Sequence, residues 1–202
     1  MNATLYGSVV VTLFVIMDPI GIIPVFLALV GKRPPAEAHR LAWQAALTSL
    51  AVISGFAIFG DAILSYLHIS LPALRVAGGL LLLVVALQLL MRGEIQSSAT
   101  ADNANIALVP LGTPLLAGPG AIVAAILFVR DASTPGDLAT IAAGIATIHL
   151  IIFLVLRFST TILRVVREAG VTVISRIAGV LLAAIAVQLT ADGIHDFIVS
   201  WQ

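Results

Sequence analysis

Residues 17–24 read Met-Asp-Pro-Ile-Gly-Ile-Ile-Pro, MDPIGIIP, and they interrupt an apolar stretch that otherwise runs from Leu5 to Val30. A stretch of that length is what a helix needs to cross a bilayer, about 20 mostly apolar residues. Proline removes a backbone donor and glycine relaxes φ, so the helical ladder is expected to open between Asp18 and Pro24. Hydrocarbon supplies no hydrogen bonds, so backbone freed there has to line a protein-enclosed cavity or hold something. A second stretch, Ile106–Val129, is interrupted at PLLAGPGAI, residues 114–122, where Pro114, Gly118, Pro119 and Gly120 fall. Interrupted segments at matching places in two halves are the sequence mark of a secondary transporter's site.

Composition points the same way. The 202 residues are 60% hydrophobic and 10% charged, with a mean hydropathy of +1.15, too apolar to cover a water-soluble globule of this size. There is no cysteine, which removes disulfides, thiolate metal sites and thiol redox chemistry together, and the four histidines are scattered. No metal site or cofactor is therefore expected. The formal net charge is zero and no basic run stands out, so nucleic acid is not an expected partner. Phosphate-loop, dinucleotide and Ser-His-Asp patterns are absent: Pro-Leu-Gly-Thr-Pro at 110–114 lacks the lysine and the spacing of a phosphate loop. An enzyme is not expected. No feature of the sequence sets an oligomeric state.

Six segments have the length and apolarity of membrane spans: Leu5–Val30, Leu41–Gly60, Leu71–Met91, Ile106–Val129, Leu138–Leu156 and Thr172–Val199. Lys32, Arg33, Arg40, Arg92, Arg157, Arg164 and Arg167 fall in the loops after spans one, three and five. By the positive-inside rule those loops are cytoplasmic and both termini are outside. The opposite loops carry Arg130 and acidic residues, including Asp131, Asp137, Asp192 and Asp196. No basic residue precedes the first apolar stretch and no cleavage motif follows it, so a removable signal peptide is not expected. Trp43, Tyr66 and Trp201 read as interface anchors.

The chain also resembles itself. RVAGGLLLLVVALQLL from Arg75 parallels RIAGVLLAAIAVQLT from Arg176, with Gln88 and Gln188, like Pro19 and Pro119, 100 residues apart. Two like units of three spans each must lie upside down to one another in the membrane. The expected architecture is all-α: six transmembrane helices as two inverted-topology three-helix repeats, with helices 1 and 4 broken at the midplane. Residues 1–95 form repeat one, 96–105 a cytoplasmic linker and 106–202 repeat two, within a single transmembrane domain.

Asp18 is the one acidic residue near the middle of a span, where a carboxylate costs about 2.5–3.5 kcal/mol on insertion scales and marks a site by default. It is placed to cap the half-helix expected to start near Ile20 through the amide of Gly21 or Ile22, to face an ammonium group, or to carry a coupling proton. A half-helix starting near Pro119 would turn the N–H groups of Gly120, Ala121 and Ile122 into the cavity, a setting that binds anions. Amides for a carboxylate and oxygens for an ammonium together suit a small zwitterion; the alternative is a transporter or exporter of another small solute, or a channel. Gln88 and Gln188 either bridge helices or lip the cavity. His149 either packs as a neutral hydrogen-bonded group or takes part in gating; Thr48, Ser49 and Thr147 read as helix-packing hydroxyls. Arg75 and Arg176 read as side chains reaching the interface, with Asp61 the expected partner of Arg75.

DPIGIIPVF at 18–26, ISLPALRVAGGL at 69–80, NIALVPLGTPLLAGPGAI at 105–122 and ISRIAGVLLAAIAVQL at 174–189 resemble the MarC/SnatA membrane proteins. The likeness covers essentially the whole chain. It implies a six-helix inverted-repeat protein of the bacterial or archaeal inner membrane that transports small neutral amino acids such as glycine and alanine. By motif match it implies a substrate site of Asp18, Pro19, Ile20, Gly21 and Pro24 with Gly118, Pro119, Gly120 and Ala121. Asp18, His149, Gln88 and Gln188 are the candidates for coupling or gating. The coupling ion is H⁺ or Na⁺, and the partners are a small zwitterionic amino acid and the lipid bilayer.

Overall fold

The computed structural model describes residues 2–30, 33–95 and 116–200, and every regular element among them is an α-helix. In chain order these are α1 (Ala3–Met17), α2 (Ile23–Val30), α3 (Pro35–Tyr66), α4 (Leu71–Ile95), α5 (Pro119–Arg130), α6 (Pro135–Arg157) and α7 (Ser159–Ser200). The expected linker at 96–105 and the first part of the fourth apolar stretch lie outside the described residues. Four helices are long and apolar enough to cross a membrane: Pro35–Tyr66, Leu71–Met91, Pro135–Arg157 and Ala169–Val199. α1 and α5 are shorter apolar helices.

Local chemistry sets the ends of these elements. Asn2 caps α1, its side-chain oxygen accepting from the amides of Thr4 and Leu5 at 3.2 Å each. α6 opens with a reciprocal capping box: Thr134 Oγ1 accepts from Asp137 N at 3.1 Å, while Asp137 Oδ2 accepts from Thr134 N at 3.0 Å. Pro135 follows at the first helical position, where its missing N–H costs nothing. α7 is continuous in hydrogen bonding only in a loose sense. Arg167 takes φ 60° and ψ 163°, outside helical space, and splits off a short leading helix. The sixth apolar stretch, Thr172–Val199, falls wholly in the longer second part.

Side-chain exposure reports the solvent. Ile58, Phe59, Val165, Val180 and Val187 are all more than half exposed. Such surfaces would be untenable over a whole protein in water and are the expected outer face of a membrane bundle. The interior is an unbroken apolar cluster built from all seven helices except the exposed ends, with Leu13, Phe26, Ile53, Leu82, Ile148 and Leu182 fully buried within it.

The seam between α4 and α7 shows how closely the helices approach. A Cβ on Gly79 would sit 2.7 Å from the Ala186 carbonyl oxygen and 2.1 Å from Thr190 Oγ1. One hundred residues later, a Cβ on Gly179 would sit 3.2 Å from the Ala86 carbonyl oxygen. Gly79 faces Ala186 while Gly179 faces Ala86, so the same contact occurs twice, read in opposite directions along two antiparallel helices. Small residues at such crossings let backbones pack without lipid between them. α3 and α6 meet through a pair with the same spacing: Ser49 Oγ lies 3.1 Å from His149 Nε2.

Candidate functional site

The first apolar stretch leaves α1 at Asp18, which adopts the left-handed conformation with φ 38° and ψ 65°. Its N–H closes the last turn of α1 on the Phe14 carbonyl oxygen at 3.1 Å. Its carboxylate then reaches forward, Oδ1 accepting from the Gly21 amide at 3.0 Å. A non-glycine residue at positive φ is strained, and here the side chain's own hydrogen bond to the turn compensates. The chain turns through residues 19–22 and re-enters helix at Ile23, three residues later than the expected start near Ile20. Pro24 stands in the first turn of α2, where its missing N–H would have had no intrahelical partner. Gly21 has no room for a side chain: a Cβ there would lie 1.8 Å from Asp18 Oδ2 and 2.3 Å from Ser175 Oγ.

The second interruption is built without a side-chain cap. Gly118 is extended, with φ −60° and ψ 160°, and α5 starts directly at Pro119. Of the three amides expected to face the cavity, two are already engaged. Ala121 N and Ile122 N donate to the Gly118 carbonyl oxygen at 3.0 and 3.2 Å. The Gly120 amide, at the second helical position, has no carbonyl one turn behind it within the helix.

Both interruptions open onto one cavity of about 330 Å³, lined by Asp18, Gly118, Gly120 and Ala121 together with Gln88. The carboxylate and the C-terminal end of α1 bring negative charge, and the N-terminal end of α5 brings positive partial charge. The remaining wall is apolar, from Ile16, Met17, Ile22 and Leu116 and from a stripe on α4, Leu81, Val84, Val85 and Leu89. Asp18 is 7% exposed. A concave, mostly apolar space with a few convergent polar groups has the form of a small-molecule site.

The sequence-derived residues divide accordingly. Asp18, Gly118, Gly120, Ala121 and Gln88 come together on the cavity. Pro19, Ile20, Gly21 and Pro24 shape the turn that presents Asp18. Pro119 opens α5. Gln188 points to an exposed face and donates to Asp192 Oδ1 at 2.8 Å on its own helix. His149 is buried between α3 and α6, away from the cavity. Its Nδ1 faces the Ile145 carbonyl oxygen at 2.7 Å, and a carbonyl only accepts, so Nδ1 carries the proton. In the neutral imidazole Nε2 then accepts from the Ser49 hydroxyl. Arg75 departs from the expected pairing: it bonds Asp131 and Asp196, and Asp61 is taken by Arg130 at 2.7 Å.

The α4 stripe was missed by sequence reasoning, although 81, 84, 85, 88 and 89 repeat at helical spacing with Gln88 as their polar member. A helix apolar all round hides which stripe faces a cavity. Ser175, buried beside Gly21 and Asp18, was also missed.

Comparison with known proteins identifies relatives over nearly the full length. The chain is 36% identical over 192 residues to the UPF0056 membrane protein MJ1677 of Methanocaldococcus jannaschii, covering 91% of this chain and 93% of that one. It is 32% identical to the UPF0056 membrane protein YvbG of Bacillus subtilis, over 92% of each chain. It is also 32% identical to the UPF0056 membrane protein YhcE of Escherichia coli, over 94% of this chain and 91% of that one. No solved structure matches. The family model for MarC family integral membrane proteins matches residues 3–198. With its apolar outer surface and four helices of spanning length, this chain is a multi-pass membrane protein and belongs to the MarC family.

Proposed function

We propose that the protein is a secondary transporter of small neutral amino acids, glycine and alanine foremost, working by alternating access. One observation carries the reading: Asp18 at the end of α1 and the Gly118–Gly120 start of α5 share a single cavity of about 330 Å³. In this reading α1 with α2, and the fourth apolar stretch ending in α5, are discontinuous spans. The Gly120 amide and the α5 dipole hold the substrate carboxylate, while Asp18 and nearby carbonyl oxygens hold the ammonium.

The reciprocal Gly79–Ala186 and Gly179–Ala86 contacts, and the Ser49–His149 pair, support two inverted repeats of three spans that rock against each other. The coupling ion in this reading is H⁺ carried at Asp18 or Na⁺ held by carbonyl oxygens. Arg33, Arg40, Arg157, Arg164 and Arg167 gather at the Gln88 end of the bundle and favour that end as cytoplasmic, with both termini outside the inner membrane.

The test is counterflow of radiolabelled glycine and alanine in liposomes carrying the protein. Saturable exchange, lost in Gly120→Leu, is the expected result. No exchange of either amino acid by folded protein would overturn the substrate assignment.

A further inference from the structure

A second cavity, of about 350 Å³, lies between α1, α4, α5 and α7 toward the Arg75 end. Ile16 lines both cavities, and Leu82 stands in the second one against Gly120 of the first. A Cβ on Gly120 would meet Leu82 Cδ2 at 2.2 Å and Ile16 Cγ2 at 3.5 Å, so these three residues meet in one place. The two cavities are therefore in series, parted by a wall about one side chain thick. Beyond that wall the lining changes from apolar, with Ala124 and Leu127, to charged, with Arg75, Asp131, Asp192 and Asp196.

We propose that this outer cavity is a second station for the same zwitterion, and that Arg75 takes its carboxylate there by exchange with Asp131. The inference rests on the transport reading above and extends it to a residue outside the two interruptions. Arg75 holds two carboxylates unequally. Nη1 bonds Asp196 Oδ2 at 2.5 Å, between side chains 21% and 35% exposed. Nη2 reaches Asp131 at 3.2 and 3.4 Å, and the Asp131 side chain is 58% exposed, in the turn that follows α5. The long, exposed arm is the one a free carboxylate can replace, because a guanidinium fork accepts any planar carboxylate in the same geometry. An exposed pair of this kind contributes little, so replacing it costs little. The ammonium of the ligand then faces Asp192, whose Oδ1 is steadied by the Gln188 amide. Three aspartates around one arginine disfavour a simple anion and select a ligand that brings its own positive charge.

The experiment is equilibrium binding of radiolabelled glycine and alanine to the full chain in detergent, beside counterflow in liposomes. Gly120→Leu is expected to stop exchange yet retain one class of binding, which Arg75→Gln and Arg75→Lys both weaken. Asp131→Asn, which removes the competitor, is expected to tighten that class by about two- to fivefold. This sign is opposite to that of a structural ion pair, whose loss would leave affinity unchanged or weaken it. If wild-type protein exchanges the amino acids while the Arg75 and Asp131 variants bind them as it does, the outer station is overturned and the transport reading stands. If wild type neither binds nor exchanges them, both fall.

Discussion

The two interruptions answer the same problem with different chemistry. At Asp18 the chain leaves α1 through a strained left-handed residue, and a carboxylate closes the following turn on the Gly21 amide. At Gly118 no side chain intervenes: an extended glycine and a proline start α5, and the Gly118 carbonyl oxygen collects the next amides itself. One solution leaves an ionisable group on the cavity and the other leaves backbone. A cavity built this way is electrically polarised, with its negative element in a side chain and its positive element in a helix end. The halves differ at their interruptions but agree at the α4–α7 seam, where Gly79 and Gly179 make the same contact in mirror order.

Substitutions can break or sharpen this contrast. The largest effect is expected from Gly120→Leu, which drives atoms into Leu82 and into the space where the α5 end meets the cavity. Exchange in liposomes should vanish while size-exclusion behaviour is kept. Next comes Asp18, where Ala and Asn separate cap from charge. Asp18→Ala leaves the buried Gly21 amide without its acceptor, a loss of about 1–3 kcal/mol in thermal or denaturant unfolding. Asp18→Asn retains an acceptor oxygen and should recover most of that stability, so its exchange rate reports the charge alone.

The seam is the third target. Gly79→Ala places a methyl 2.7 Å from a carbonyl oxygen and should cost about 1–3 kcal/mol. Gly179→Ala, whose contacts begin at 3.1 Å, should cost less. Equal costs would show that the closer approach at Gly79 carries no energetic penalty beyond that of its counterpart at Gly179. The smallest effect is expected at the α3–α6 contact. Ser49→Ala removes one hydrogen bond to His149, about 1 kcal/mol, and should leave the KM for exchange unchanged because neither residue reaches the cavity. A raised KM would return His149 to the gating role.

Much of this was legible in the sequence, for physical reasons. Membrane helices announce themselves by length and apolarity, so Leu71–Met91 was placed to the residue within α4, and Leu138–Leu156 lies inside α6. Asp18 and Gly118 were legible because Pro and Gly in an apolar run have few other uses. What failed depended on distance or direction. Arg75 was assigned Asp61, nearby in sequence, whereas packing gives it Asp131 and Asp196 from the other half of the chain. The Ala121 and Ile122 amides were expected to face the cavity, but the extended Gly118 offers its own carbonyl first. The bend at Arg167 has no Gly or Pro at the residue itself to signal it.

The capping box at Thr134 has a mechanical corollary. Only residues 131–134 join α5 to α6, and both ends of that turn are pinned, by the Asp131 N–H on the Leu127 carbonyl oxygen and by the reciprocal Thr134–Asp137 bonds. These bonds fix where each helix ends, while α5 itself rests on α3 and α4 far more than on α6, so a displacement of the Gly118 end would press on those two helices first. The Asp18–Ile22 turn is tied in the same way, by the Gly21 N–H on Asp18 Oδ1 and the Ile22 N–H on the Asp18 carbonyl oxygen, so both changes of direction are closed by bonds of their own.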